Sequence, residues 1–221
     1  MLMRLLKFFI KVAGVCMGIT LFLFIVNLLQ KGSCNADGRS MEDILGKERD
    51  EVDDSDLIQL KKCELMQVFY SADAPPLESI EGEYRSEVIP AGILGFGAEF
   101  FANNLFGPGN MVGKGFCLRD ERSGWGYNIF HSNREDGSNG LARTRKMDTY
   151  VGPSDLCEGD SLHLSYEDYN HGIFSSMHSE IRKINDSLYL GMVHLGIAGG
   201  KYNPTPFTLV GPPSEFQGPD S

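Results

Sequence analysis

Val112-Gly113-Lys114-Gly115-Phe116-Cys117-Leu118, the break Arg119-Asp120-Glu121, and then Trp125-Gly126-Tyr127-Asn128-Ile129-Phe130 decide the fold class. Val112, Lys114, Phe116 and Leu118 fall on one face at a period of two, the repeat of a strand and not of a helix. The second run is aromatic and β-branched, and it ends in the turn-rich His131-Ser132-Asn133-Arg134-Glu135-Asp136-Gly137. Working outward, the same grammar recurs. Glu81–Val88 stops at Pro90, and Leu141–Val151 stops at Gly152-Pro153. Leu162, Leu164 and Tyr166 mark another face, and Glu180–Ile184, Leu188–Gly196 and Phe207–Val210 follow. That makes about eight strands with turn residues every ten or so positions, the pattern of an antiparallel barrel or sandwich. Too few helical segments remain to supply the crossovers of a parallel α/β sheet.

Composition agrees. The 221 residues include 26 Gly, 14 Phe and 8 Tyr, and glycine at about 12% exceeds the usual ~7%. The net charge is −10, with no basic stripe, which argues against a protein that grips nucleic-acid phosphates. Recurrent glycine and proline exclude a coiled coil.

One stretch departs from the strand pattern. Ala91-Gly92-Ile93-Leu94-Gly95-Phe96-Gly97-Ala98-Glu99-Phe100-Phe101-Ala102-Asn103-Asn104-Leu105-Phe106 is apolar and directly follows the first strand. It is read as a short helix or lid across a barrel mouth, or alternatively as a helix packed outside the sheet.

The first thirty residues differ from the rest. Arg4, Lys7 and Lys11 precede the uncharged run Val12–Leu29, whose eighteen residues would span ~27 Å as a helix, enough for a ~30 Å hydrocarbon core. Residues 1–34 are expected to be a signal-anchor with the N-terminus cytoplasmic and the rest extracytoplasmic, periplasmic in a two-membrane bacterium. Cys34 and Ala36 stand where a signal cleavage site would have its small residues, so secretion after cleavage is the alternative. Residues 35–221 carry 16 basic against 30 acidic side chains, or −14, and would stand off an anionic membrane.

Residues 35–76 are rich in Asp and Glu and read as a solvated acidic linker with one possible short helix between Leu57 and Phe69. Ala74-Pro75-Pro76 closes it, residues 77–215 are the barrel domain, and 216–221 a tail. Cys34, Cys63, Cys117 and Cys157 permit two disulfides in three pairings, or separate thiols.

Two groups of residues carry resemblances. Gly82-Glu83-Tyr84 is similar to the Gly-x-aromatic opening of lipocalins and calycins, which usually place tryptophan there. Gly113-Lys114-Gly115-Phe116, Gly126-Tyr127-Asn128, Gly152-Pro153-Ser154-Asp155-Leu156, Leu164-Ser165-Tyr166 with Asn170, and Glu180-Ile181-Arg182 before Leu188-Tyr189-Leu190-Gly191 occur in order. Together they resemble a group of uncharacterised bacterial proteins with a lipocalin-like barrel domain. The resemblance implies a fold and transfers no catalytic residue.

Chemistry-bearing residues are scattered. His163, Glu167, His171 and His178 are close in sequence but differ in strand parity, and no HExxH or zinc-finger spacing occurs, so neither a metal nor a cofactor is expected. Asp168, His171 and Ser175 or Ser176 lack a Gly-x-Ser-x-Gly elbow. His194 shares a face with Leu190 and Met192 and is read as pointing into the barrel. Arg143 and Arg145 share a parity that, if inward, would place two cations inside, in need of a partner such as Glu83, Glu180 or a ligand's acidic head. The expected ligand site is therefore Tyr84, Phe100, Phe116, Asn128, Arg143, Arg145, Tyr166 and His194. The leading reading is a membrane-anchored extracytoplasmic barrel that binds a small hydrophobic or amphiphilic, lipid-like ligand without catalysis. The alternatives are a hydrolase or isomerase using His171 or His194, and a filled barrel serving protein association in the cell envelope.

Overall fold

The computed structural model describes residues 34–92, 95–133 and 139–220, with isolated positions before residue 26. Eight strands form a closed antiparallel barrel in which each pairs with its neighbour in sequence and the last pairs with the first. They are β1 (Gly82–Val88), β2 (Met111–Leu118), β3 (Ser123–Asn133), β4 (Asn139–Pro153), β5 (Asp160–Ser165), β6 (Met177–Lys183), β7 (Leu188–Leu195) and β8 (Thr205–Ser214). All eight expected strands are present. Between β2 and β3 the turn is pinned by Asp120, whose carboxylate accepts from Arg122 N and Ser123 N, both at 2.8 Å. Gly115 is required where it stands, because an added Cβ would meet the Tyr127 ring at 2.6 Å.

Alternation along the strands sorts two cores. Inside the barrel lie Tyr84, Phe116, Phe130, Met147, Leu162, Leu164, Tyr166, Ile181, Tyr189, Phe207 and Leu209, and Leu77 and Ile80 of the 3-10 turn before β1 plug the end where β1 begins. The second core is outside. Leu188, Leu190 and Met192 of β7 face α1 (Met41–Leu45), α2 (Asp54–Ile58) and α3 (Lys62–Ser71), which contribute Met41, Leu57, Leu65, Val68 and Phe69. Residues 35–76 thus depart from the expected solvated linker. Their acidic side chains decorate short capped helices, Ser40 and Asp53 closing capping boxes on α1 and α2, while the apolar positions between them cover β7.

Two buried polar side chains fasten this cover. Arg182 on the outer face of β6 is almost fully buried and donates to the carbonyls of Tyr70 (3.2 Å) and Ala72 (3.0 Å), orphan acceptors at the end of α3, and to Glu158 O (2.7 Å) in the β4–β5 turn. Asn185, in the β6–β7 turn, donates to Arg49 O at 3.1 Å and Val52 O at 2.8 Å. Cys34 and Cys63 form a disulfide that ties the start of the described chain to α3, while Cys117 and Cys157 are free.

The C-terminal segment also docks. Phe216 packs edge-on against Trp125 at 5.2 Å, and Asp220 exchanges hydrogen bonds with the backbone of Arg143. Among the described residues no helix is long and apolar enough to cross a membrane. The run Val12–Leu29, read as an anchor, lies largely outside the described residues.

Candidate functional site

At the end of the barrel opposite the Leu77–Ile80 plug, the side chains stop short of filling the interior. α4 (Gly95–Asn104) follows β1 and lies over this mouth, enclosing a cavity of about 320 Å³. Ala98, Phe101 and Ala102 of the helix, with Phe106 just beyond it, form the roof. Val88, Met111, Met177, Val193 and Leu195 line the walls, so the cavity is strongly apolar. Its size is at the lower end of small-molecule sites, ~300–1,000 Å³.

One charged group faces it. Lys114, on the inward parity of β2, is 3% exposed, and its amine donates to Asn128 Oδ1 and, at 3.2 Å, to the Tyr166 hydroxyl. Asn128 Nδ2 in turn donates to the Tyr166 hydroxyl at 3.1 Å. The ammonium also lies 5.0 Å from the Phe207 ring centroid, a cation–π distance. No carboxylate forms an ion pair with it among the described residues. Burial without a counter-charge pushes the Lys114 amine down to about 7, because desolvation penalises the charged form.

A route inward is visible in the strand pairing. β1 pairs with β2 only over Gly82–Arg85, leaving Ser86–Val88 hydrogen-bonded to β8 alone. The strands splay here beneath α4, where a polar groove of about 340 Å³ is lined by Ser86, Glu99, Asn103 and Asn110. Val88 and Met111 line both the groove and the cavity, so the groove adjoins the interior.

The residues expected to bind ligand separate into three groups. Asn128 and Tyr166 are inside, fully buried, and hold Lys114; Tyr84 and Phe116 are inside but belong to the filled lower core, in edge contact at 6.0 Å. Phe100 is on α4 but 50% exposed, and its neighbour Phe101 takes the inward position. The remaining three differ from the expected interior placement. Arg143 is on the outer face, paired with Glu83 at 2.7 Å, and Tyr127 donates to the same carboxylate at 2.6 Å. Arg145, at a left-handed φ of 58°, breaks the β4 register; its guanidinium donates to Phe106 O at 2.7 Å and covers the Phe174 ring at 4.1 Å. His194 is outside because the face it shares with Leu190 and Met192 is the one the N-terminal helices cover. None of the described histidines lines the cavity, so an interior histidine base has no place there.

The residue missed was Lys114. Its parity with Phe116 was legible, but nothing in the sequence says that the barrel is hollow at its level.

A second cluster lies on the outer wall. Asp155, in the β4–β5 turn, His178 of β6 and His194 of β7 bring one ligand atom each to within 4.8 Å of one another. The grouping differs from the sequence-adjacent set of His163, Glu167, His171 and His178. His178 is pushed down to about 4 by burial and then by its neighbours His194 and His163.

No family model and no curated protein matches the sequence. Among solved structures, a protein from Thermomonospora curvata is similar over 73% of this chain and 89% of its own, at 14% identity and a TM-score of 0.42, a likeness too distant to bear on function.

Proposed function

We propose that the barrel binds a small acidic amphiphile, its apolar body in the cavity beneath α4 and its anionic head against Lys114. The observation that carries this reading is the amine itself: a buried lysine that faces an apolar cavity and has no ion-pair partner among the described residues. A carboxylate or similar head would supply the counter-charge and accept a charge-assisted hydrogen bond. Asn128 and Tyr166 would fix the direction of the amine, and apolar burial at ~25 cal/mol per Å² would supply most of the affinity. No covalent step is required. The ligand would pass through the β1–β2 splay, with α4 closing over it.

The same proposal places the barrel outside the cytoplasm, held by Val12–Leu29 as a membrane anchor. Arg4, Lys7 and Lys11 before the apolar run support that orientation. The Cys34–Cys63 disulfide fits an oxidising compartment.

Native mass spectrometry and organic extraction of the full chain test the reading, with Lys114→Met alongside. Lipid held around the N-terminal run is common to both proteins, so only the difference counts. We expect a stoichiometric amphiphile in the wild type that is lost from the variant. Identical extracts, together with no uptake of added fatty acid by either protein, would sink the reading.

A further inference from the structure

We propose that Asp155, His178 and His194 form a binding site for one divalent transition-metal ion, with zinc as the reference ion, on the outer wall of the barrel. The site is separate from the cavity.

Backbone register creates the pair. His178 and His194 are direct cross-strand partners in the β6–β7 ladder, so their side chains leave the sheet on the same outward face. The β4–β5 turn brings Asp155 to them. That turn is held by Glu180, fully buried, which accepts from Ser154 Oγ and from Asp155 N at 3.0 Å. Asp155's own carboxylate makes no hydrogen bond or ion pair among the described residues. Its exposure leaves the cluster open to solvent.

Two further observations concern the histidine nitrogens. His194 Nε2 is buried and has no hydrogen-bond partner among the described residues, an uncommon condition for an imidazole nitrogen. A hydrogen-bond chain through His163 favours one tautomer of His178. The Gly152 carbonyl, 3.1 Å from His163 Nε2, can only accept, so the neutral form of His163 places its proton on Nε2. His163 Nδ1, 2.8 Å from His178 Nε2, must then accept from it. This leaves Nδ1 as the nitrogen of His178 with a lone pair to give. A metal-bound histidine is commonly oriented by such an outer hydrogen bond, here through His163 to a backbone carbonyl.

Two imidazoles and one carboxylate suit zinc, cobalt or nickel, and are poor for calcium or magnesium, which prefer all-oxygen shells. Tetrahedral zinc with bonds of ~2.0–2.2 Å places its ligand atoms about 3.4 Å apart. The three atoms lie within 4.8 Å of one another, so closure asks for up to about 1.4 Å of movement, shared among the exposed Asp155 and the two half-buried histidine side chains. Water would complete the coordination. Occupancy would staple the β4–β5 turn to β6 and β7.

The test is titration of the metal-stripped full chain with Zn²⁺ against a chromophoric chelator, with Co²⁺ as the spectroscopic probe. One ion per chain is expected. Asp155→Asn, His178→Ala and His194→Ala should each weaken binding at least about tenfold, and His171→Ala should leave it unchanged. Asp155→Asn changes an exposed turn residue, so its effect does not depend on the buried variants folding. Equal Zn²⁺ affinity in Asp155→Asn and wild type would overturn the site. So would a thiolate-to-cobalt charge-transfer band, which would move the ion to Cys117 or Cys157.

Discussion

A lysine amine sealed among aromatic rings either gives up its proton or finds an anion, and Lys114 is placed to do both. Burial lowers its pKa to about 7, below the ordinary 10.5. Between these values the unfolded chain holds a proton that the folded chain lacks, so the Lys114 contribution to stability rises with pH from about 7 to about 10.5 and is lost as pH falls through 7. Lys114→Met should flatten that rise in a series of denaturant melts taken across the window. An acidic ligand binds the protonated form, so its affinity should fall by up to about tenfold per pH unit above 7 in wild type, and a fluorescent fatty-acid titration reads this directly. At this scale the sequence was partly legible. Strand parity put Lys114 on the Phe116 face, and Asn128 and Tyr166 were among the expected site residues. Arg143 and Arg145 were not legible, because a β4 register shift and an outward Glu83 decide where they go.

Among the elements, α3 and β6 depend on one another through Arg182. Its guanidinium satisfies buried and half-buried carbonyls at that contact, and a shorter apolar side chain would take this donor away from them. Arg182→Leu should cost about 3 kcal/mol in chemical denaturation and speed amide exchange in α3 before the barrel strands. The Cys34–Cys63 bridge closes a separation of 29 residues over the same cover. Removing it as Cys34→Ser with Cys63→Ser should cost about 3–4 kcal/mol on loop entropy alone, measured by the same melts. The lid was legible as an apolar, glycine-bearing interruption after the first strand, and α4 occupies it. Of the helical cover only one short helix, expected between Leu57 and Phe69 and overlapped by α3, was legible; the rest was not, since short helices in acidic sequence carry too few apolar residues to show a helical period. The evidence for it was on the other side of the contact: β7 alternates between two apolar faces, which a barrel wall facing water would not do.

For the whole molecule, strand count and antiparallel order followed from alternation and turn spacing, which left barrel and sandwich open, and the lipocalin-like resemblance favoured the closed form that the structure has. What alternation cannot give is how far side chains fill the barrel, and function turns on that. Here the end near Leu77 and Ile80 is packed and the end beneath α4 is hollow, and it is faced by a lysine amine with no ion-pair partner among the described residues. The outer His178–His194 pair is a product of register, since the β6–β7 ladder sets the two residues opposite each other. The most direct measurement is the titration of the Lys114 side chain by NMR, using lysine labelled at Cε in the full chain, with and without an acidic amphiphile. A resonance absent from Lys114→Met should titrate near pH 7 in the free protein and move upward when the amphiphile is added. Titration near 10.5, or a midpoint that the amphiphile does not move, would contradict an unpaired amine waiting for an anionic head.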